Sequence, residues 1–170
     1  MVFCSMHGEF DRTLSILESL ANHMVVSPAD FTLSVHNALS GLLATALVNR
    51  GGHTTVSAGP DSFGCGVLEA VATLNEQPET PVLLVYFDEP LPPPFEVFDP
   101  DPPAAMALAV ILTAASGERL TLTPRTITGP VVRSESAAHA FVHFMIEQQP
   151  YAESIGERLA CRWARDYATA

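Results

Sequence analysis

One stretch constrains the fold of this chain more than any other: Ser27 to Glu69, SPADFTLSVHNALSGLLATALVNRGGHTTVSAGPDSFGCGVLE. Ser27 followed by Pro28 is an N-cap with a proline at the first helical position. Phe31, Val35, Leu39, Leu42, Leu43, Ala46 and Leu47 then predict one long buried helix over about 28–49, with Ala38, Gly41 and Ala44 leaving room for another backbone. Gly51-Gly52 ends it, and the β-branched set Thr54, Thr55 and Val56 predicts a strand from His53 to Ala58. A tight turn at Ala58 to Ser62 leads into a second apolar helix, Phe63 to Leu74. Its Gly64 and Gly66 each cost about 1 kcal/mol relative to alanine, so close packing must require them. The outcome is a strand-to-helix elbow. Enzymes often carry a nucleophile at such an elbow, but the tip here is Gly59-Pro60-Asp61.

The remaining segments predict an α/β layered sheet. Val2 to Met6 reads as a buried strand and Glu9 to Asn22 as a helix with one buried face. Pro81 to Phe87 (PVLLVYF) is a continuous apolar run, the pattern of a strand covered on both faces. The proline-rich run 88–103, which Asp88-Glu89 opens, reads as a loop; Ala105 to Thr113 reads as a further buried strand, and Arg119 to Thr123 as a strand with one wet face. A helix opening at Ser134 carries Ala137, Ala140, Phe141, Phe144 and Met145 on its apolar stripe. The tail from Ala152 to Tyr167 spaces Ile155, Leu159, Trp163 and Tyr167 for a last helix, with Arg158, Arg162 and Arg165 opposite. Helices alternating with two-sided strands imply one layered α/β domain over 1–170.

Composition narrows the function classes. With 170 residues and 48% apolar content there is enough to build a real core. The formal charge is −11, from 19 acids against 8 bases that are all arginine, which argues against a nucleic-acid partner. Cys4, Cys65 and Cys161 follow neither a disulfide nor a zinc-ligand spacing, and no cofactor is implied. The longest apolar run, 104–115, is well short of the ~20 residues of a membrane helix, and the N-terminus has no signal-peptide pattern. A cytoplasmic protein without a membrane partner is expected.

Ser57, Ser62 and Cys65 are the possible nucleophiles near the elbow, and His36 in SVHN is a possible base. The alternative reading of each is structural: Asp61 and Ser62 as N-cap chemistry, Cys65 as core, His36 as a buried polar group. His139 and His143 share a helix face but lack the glutamate of H-E-x-x-H, so no metal site is expected. Arg158, Arg162 and Arg165 interleave with Glu153, Glu157 and Asp166, as on a solvated ion-pair face.

The strings SVHNALSG, SAGPDSF and LLVYFDEPLP resemble the N-terminal half of β-ketoacyl-acyl carrier protein synthases. The likeness is to short ketosynthase-like, chain-length-factor-like proteins of aryl polyene and type II polyketide pathways, and runs over about Val2 to Thr113. It implies a partial thiolase-like fold, without the first strand and helix of the family and without its C-terminal half. It implies that the strand at Thr54, Thr55, Val56 and Ser57 lies at a dimer interface, and that Ala58, Gly59, Pro60, Asp61 and Phe63 border an acyl pocket. Active synthases carry a cysteine in an A-C-x-S context where this chain has Gly59, and neither catalytic histidine context is recognisable. The resemblance thus implies a non-catalytic subunit that shapes the acyl pocket of an active ketosynthase in fatty acid or polyketide synthesis, in a heterodimer or with a second copy of itself. The acidic acyl carrier protein would dock mainly on the partner. Two other readings remain open: an acyl transferase or thioester hydrolase using Ser62 or Cys65 with His36, and a purely structural subunit.

Overall fold

The computed structural model describes residues 1–99, 104–130 and 135–166. Two sheets sandwich a central helix. The first sheet runs in the order β2-β1-β3-β4, from β1 (Val2–Cys4), β2 (Thr54–Val56), β3 (Val82–Asp88) and β4 (Met106–Leu112). Strand β1 is parallel to both β2 and β3, whereas β4 returns antiparallel to β3, pairing Val82 with Leu112 and Asp88 with Met106. The second sheet is an antiparallel set in the order β5-β7-β6, from β5 (Leu120–Thr126), β6 (Tyr151–Ile155) and β7 (Leu159–Arg165).

The chain reaches β2 through α1 (Phe10–Ala21), α2 (Pro28–Leu33) and α3 (Ala38–Ala46). After β2 comes the central helix α4 (Ser62–Glu76), and α5 (Ala137–Ile146) precedes the final hairpin. The two glycines of α4 explain its place. A Cβ on Gly66 would fall on Cys4 Sγ of β1, and one on Gly64 would stand 2.9 Å from Leu159 Cδ2 and 3.3 Å from Cys161 Sγ of β7. One face of α4 therefore lies against each sheet. Between them Phe63 meets Tyr86 edge-on at 5.6 Å and Phe141 at 5.3 Å, and Phe141 lies 4.6 Å from Trp163. These rings form the centre of the core.

Several expectations need correction. The single helix over 28–49 is two, broken at Ser34–Asn37, where serine, a β-branched valine, histidine and asparagine follow in a row. Nor is it buried: α2 has no buried residue, and α3 buries only Ser40 and Ala44 while Phe31, Leu42 and Leu47 face outward. Helix α1 likewise buries none of its residues fully. The tail predicted as a helix is the β6–β7 hairpin, turning at Gly156. Arg165, assigned to a solvated face, is buried: it donates to the carbonyls of Gln149 (2.8 Å) and Phe144 (3.0 Å), lies over the Phe144 ring and ion-pairs with Glu118. It closes the carboxyl end of α5. Strand β4 is not covered on both faces, since Ala107, Ala109 and Ile111 are exposed. The helix start expected at Ser134 lies outside the described residues, as do Tyr167 and residues 100–103; within them, Ser136 caps α5 by accepting from the His139 N–H.

Candidate functional site

The carboxyl ends of the parallel strands β1, β2 and β3 share one edge of the sheet, where open α/β sheets commonly place ligands. Three features meet there: the Ser5–Gly8 loop, the elbow after β2 and the end of β3. Asp88, read from sequence as the start of a loop, is instead the buried last residue of β3. It accepts from the backbone N–H of Met6 (2.9 Å) and His7 (3.1 Å) and from the Tyr86 hydroxyl (3.1 Å). Ser5 Oγ in turn accepts from the Gly8 N–H at 2.6 Å. Burial first, and then the Asp88 charge, push the Tyr86 hydroxyl well above its usual range, so it remains a donor. This network ties the Ser5–Gly8 loop to the end of β3 beside the elbow.

The elbow closes on itself. Ser62 Oγ accepts the Ala58 N–H at 2.9 Å and donates to the Gly59 carbonyl at 2.7 Å, while the Ser62 N–H reaches the same carbonyl at 3.0 Å. The turn needs a left-handed residue at its tip, which Gly59 supplies with φ +58°. Among the described residues nothing lies within 4 Å of where a Cβ on Gly59 would stand, so the tip faces open space. Ala58 and Pro60 are half-buried beside it and Ser57 is exposed.

Asp61 and Phe63, expected at the pocket, point elsewhere. Phe63 is 1% exposed and belongs to the aromatic core between the sheets. Asp61 is helix-capping by position only, because its side chain makes no cap bond. Its buried carboxylate turns to the β6–β7 turn, where it accepts the backbone N–H groups of Glu157 (2.7 Å), Arg158 (3.0 Å) and Leu159 (3.0 Å) and the Arg158 Nε–H (3.3 Å). Burial alone would raise its pKa. The backbone donors and Arg158 outweigh burial and hold the carboxyl below its usual range. Sequence reasoning missed this pairing, and the one available signal was Gly156, a turn residue inside a stretch read as helix.

The candidate nucleophiles are poorly placed for chemistry. The Ser62 proton is committed to the Gly59 carbonyl. Cys65 is half-buried, and burial and then the Asp61 charge push its thiol above the usual range despite Arg158. His36 packs against Gly8, and its Nε2 finds no hydrogen-bond partner among the described residues, Ser62 and Cys65 included. His139 Nδ1 bonds Ser136 Oγ, and His143 pairs with Glu135. No cluster of three or more His, Cys, Asp or Glu forms among the described residues. A shallow groove of about 570 Å³ lined by Gly41, Ala44, Val48, Arg50 and His53 opens at the other end of β2, away from the elbow.

Residues Thr54 to Val56 lie on the sheet's edge strand. They pair with β1 on one side only, and Thr55 Oγ1 shares a hydrogen bond with the buried Ser40 Oγ at 2.9 Å. Among the described residues no strand pairs with the outer edge of β2. No helix among the described residues is long and apolar enough to cross a membrane.

A mixed sheet packed on a central helix, with an elbow leading from its edge strand into that helix, is the architecture of the thiolase-like ketosynthases. The sequence model of the family described as "Beta-ketoacyl synthase, N-terminal domain" matches residues 1–164, and the chain belongs to that family. Among solved structures it is similar to a chain of the ketosynthase ApeO in complex with its chain length factor ApeC from Xenorhabdus doucetiae. The TM-score is 0.85 at 28% identity, over 96% of this chain and 68% of that one. No curated protein matches.

Proposed function

We propose that this chain is a non-catalytic ketosynthase-like subunit of the chain-length-factor type. It pairs with an active β-ketoacyl-acyl carrier protein synthase and walls its acyl pocket. The observation that carries the reading is the elbow tip: at the position where the resemblance places the nucleophilic cysteine stands Gly59, left-handed at φ +58°, with open space above it. The turn that presents a nucleophile is built and the nucleophile is not. The similarity to a chain from a ketosynthase–chain length factor complex supports a ketosynthase partner, and the outer edge of β2 offers a surface through which a subunit could join the sheet. An aryl polyene pathway is the setting this likeness favours. Carrier-protein docking falls to the partner, because the −11 charge of this chain repels an acidic carrier.

The test is product length. Co-expressed with a ketosynthase that co-purifies with it, the Ala58→Phe variant adds bulk at the half-buried elbow and shortens the acyl products. An unchanged length distribution from an assembled complex would favour the purely structural reading.

A further inference from the structure

The elbow crest is held by bonds within its own turn and by its continuity with α4. It follows a strand of three residues at the edge of its sheet, and its tip has open space on the side where a Cβ would stand. Ser62 ties the crest to itself and to the start of α4, so residues 58–62 form one small closed unit. The link from that unit to the second sheet is Asp61. Its carboxylate takes three successive backbone N–H groups of the turn at 157–159, a converging set of donors suited to a fixed negative charge. The turn is shaped for it: the Gly156 N–H bonds the Leu159 carbonyl at 2.9 Å, and a Cβ on Gly156 would fall on Asp61 Oδ1. Gly156 is not in the left-handed region, so what this position demands is the absence of a side chain. The carboxylate and the turn thus form one clasp between segments 96 residues apart.

We propose that Asp61 is a positioning residue through which the β6–β7 turn fixes the Ala58–Pro60 crest, and so sets the depth of the acyl pocket that the crest borders. The role in pocket depth rests on the function proposed above; the mechanical coupling of turn and crest does not. Asp61 touches no acyl chain in this scheme. It acts by holding Gly59 and its neighbours still. Arg158, whose side chain is 75% exposed, adds its Nε–H from outside but is not the main support, because three backbone donors remain without it.

The test is amide hydrogen exchange on the isolated full chain, wild type against Asp61→Asn. An asparagine keeps one acceptor and turns an N–H₂ toward a donor, so exchange at 157–159 should rise on the order of tenfold. The proposal requires the amides of Ala58, Asp61 and Ser62 to rise with it while β3 stays protected. Loosening of 157–159 with the amides of Ala58, Asp61 and Ser62 at wild-type protection overturns it. Should Asp61→Asn fail to fold, exchange of the wild type in sub-denaturing urea reads the same coupling: the two segments open as one unit, and separate openings overturn it. Product length then tests the role in pocket depth. If Ala58→Phe shortens products and Asp61→Asn leaves them unchanged, Asp61 does not set pocket depth although the function stands. If neither variant changes length, the chain-length function fails, and the role in pocket depth with it, while the exchange data still decide the coupling.

Discussion

The Asp61 carboxylate occupies the space that a side chain on Gly156 would need, so the elbow after β2 and the turn between β6 and β7 interlock through a residue that has no side chain. Gly156→Ala should therefore expel the carboxylate or shift the turn. The expected loss is about 1–3 kcal/mol, read from the midpoint of urea unfolding. Wild-type stability would show that the turn can give way freely.

The same change of glycine to alanine should have opposite signs at two helical positions. Gly66→Ala drives a methyl into Cys4 and costs about 1–3 kcal/mol, part of which Cys4→Ala should restore. Gly41 in α3 has nothing within 4 Å of its would-be Cβ, so Gly41→Ala should stabilise the chain by about 0.5–1 kcal/mol. Equal effects at both sites would contradict the sandwiched position of α4.

Acid should open the clasp. The folded-state pKa of Asp61 is depressed below its ordinary 3.8, so its contribution is complete above that value and fades as pH falls through the lower folded pKa. Wild type should lose more stability below pH 4 than Asp61→Asn, whose residue 61 cannot titrate. Parallel losses in the two proteins would show that other carboxylates dominate acid unfolding.

The three thiols should separate by accessibility. Burial first, then Asp88 and Cys65, push Cys4 up to about 12; burial, then Cys65 and Asp61, push Cys161 up to about 11. Cys65 is also raised, yet it is the one that is not fully buried. At pH 8 iodoacetamide should label Cys65 slowly and the other two only after denaturation, as peptide mass mapping would show. Rapid labelling of Cys65 would reopen the reading of it as an acyl-accepting nucleophile.

The legible parts of the fold were those fixed by local chemistry. The run PVLLVYF was legible as β3, whose residues prove alternately buried and half-buried, and the glycines of α4 signalled close packing, which Cys4 supplies on one side and Leu159 and Cys161 on the other. The elbow was readable from β-branched residues followed by glycine and proline. The final hairpin was not. Ile155, Leu159 and Trp163 fall at helical spacing, but Leu159, Cys161, Trp163 and Arg165 also alternate, and pairing with β5 and β6 selects the second period. The orientation of Asp61 was illegible for the same reason: its donors lie 96 to 98 residues away, where local spacing carries no information.

Whether this chain carries an acyl group is decided by its intact mass after incubation with a reactive acyl thioester, alone and with a co-purifying ketosynthase. With Gly59 at the elbow tip and the Ser62 proton held by a backbone carbonyl, the acyl adduct should form on the partner and not on this chain. A stoichiometric adduct on this chain, mapping to Ser62 or Cys65, would contradict the account and make the protein an acyl-transferring enzyme.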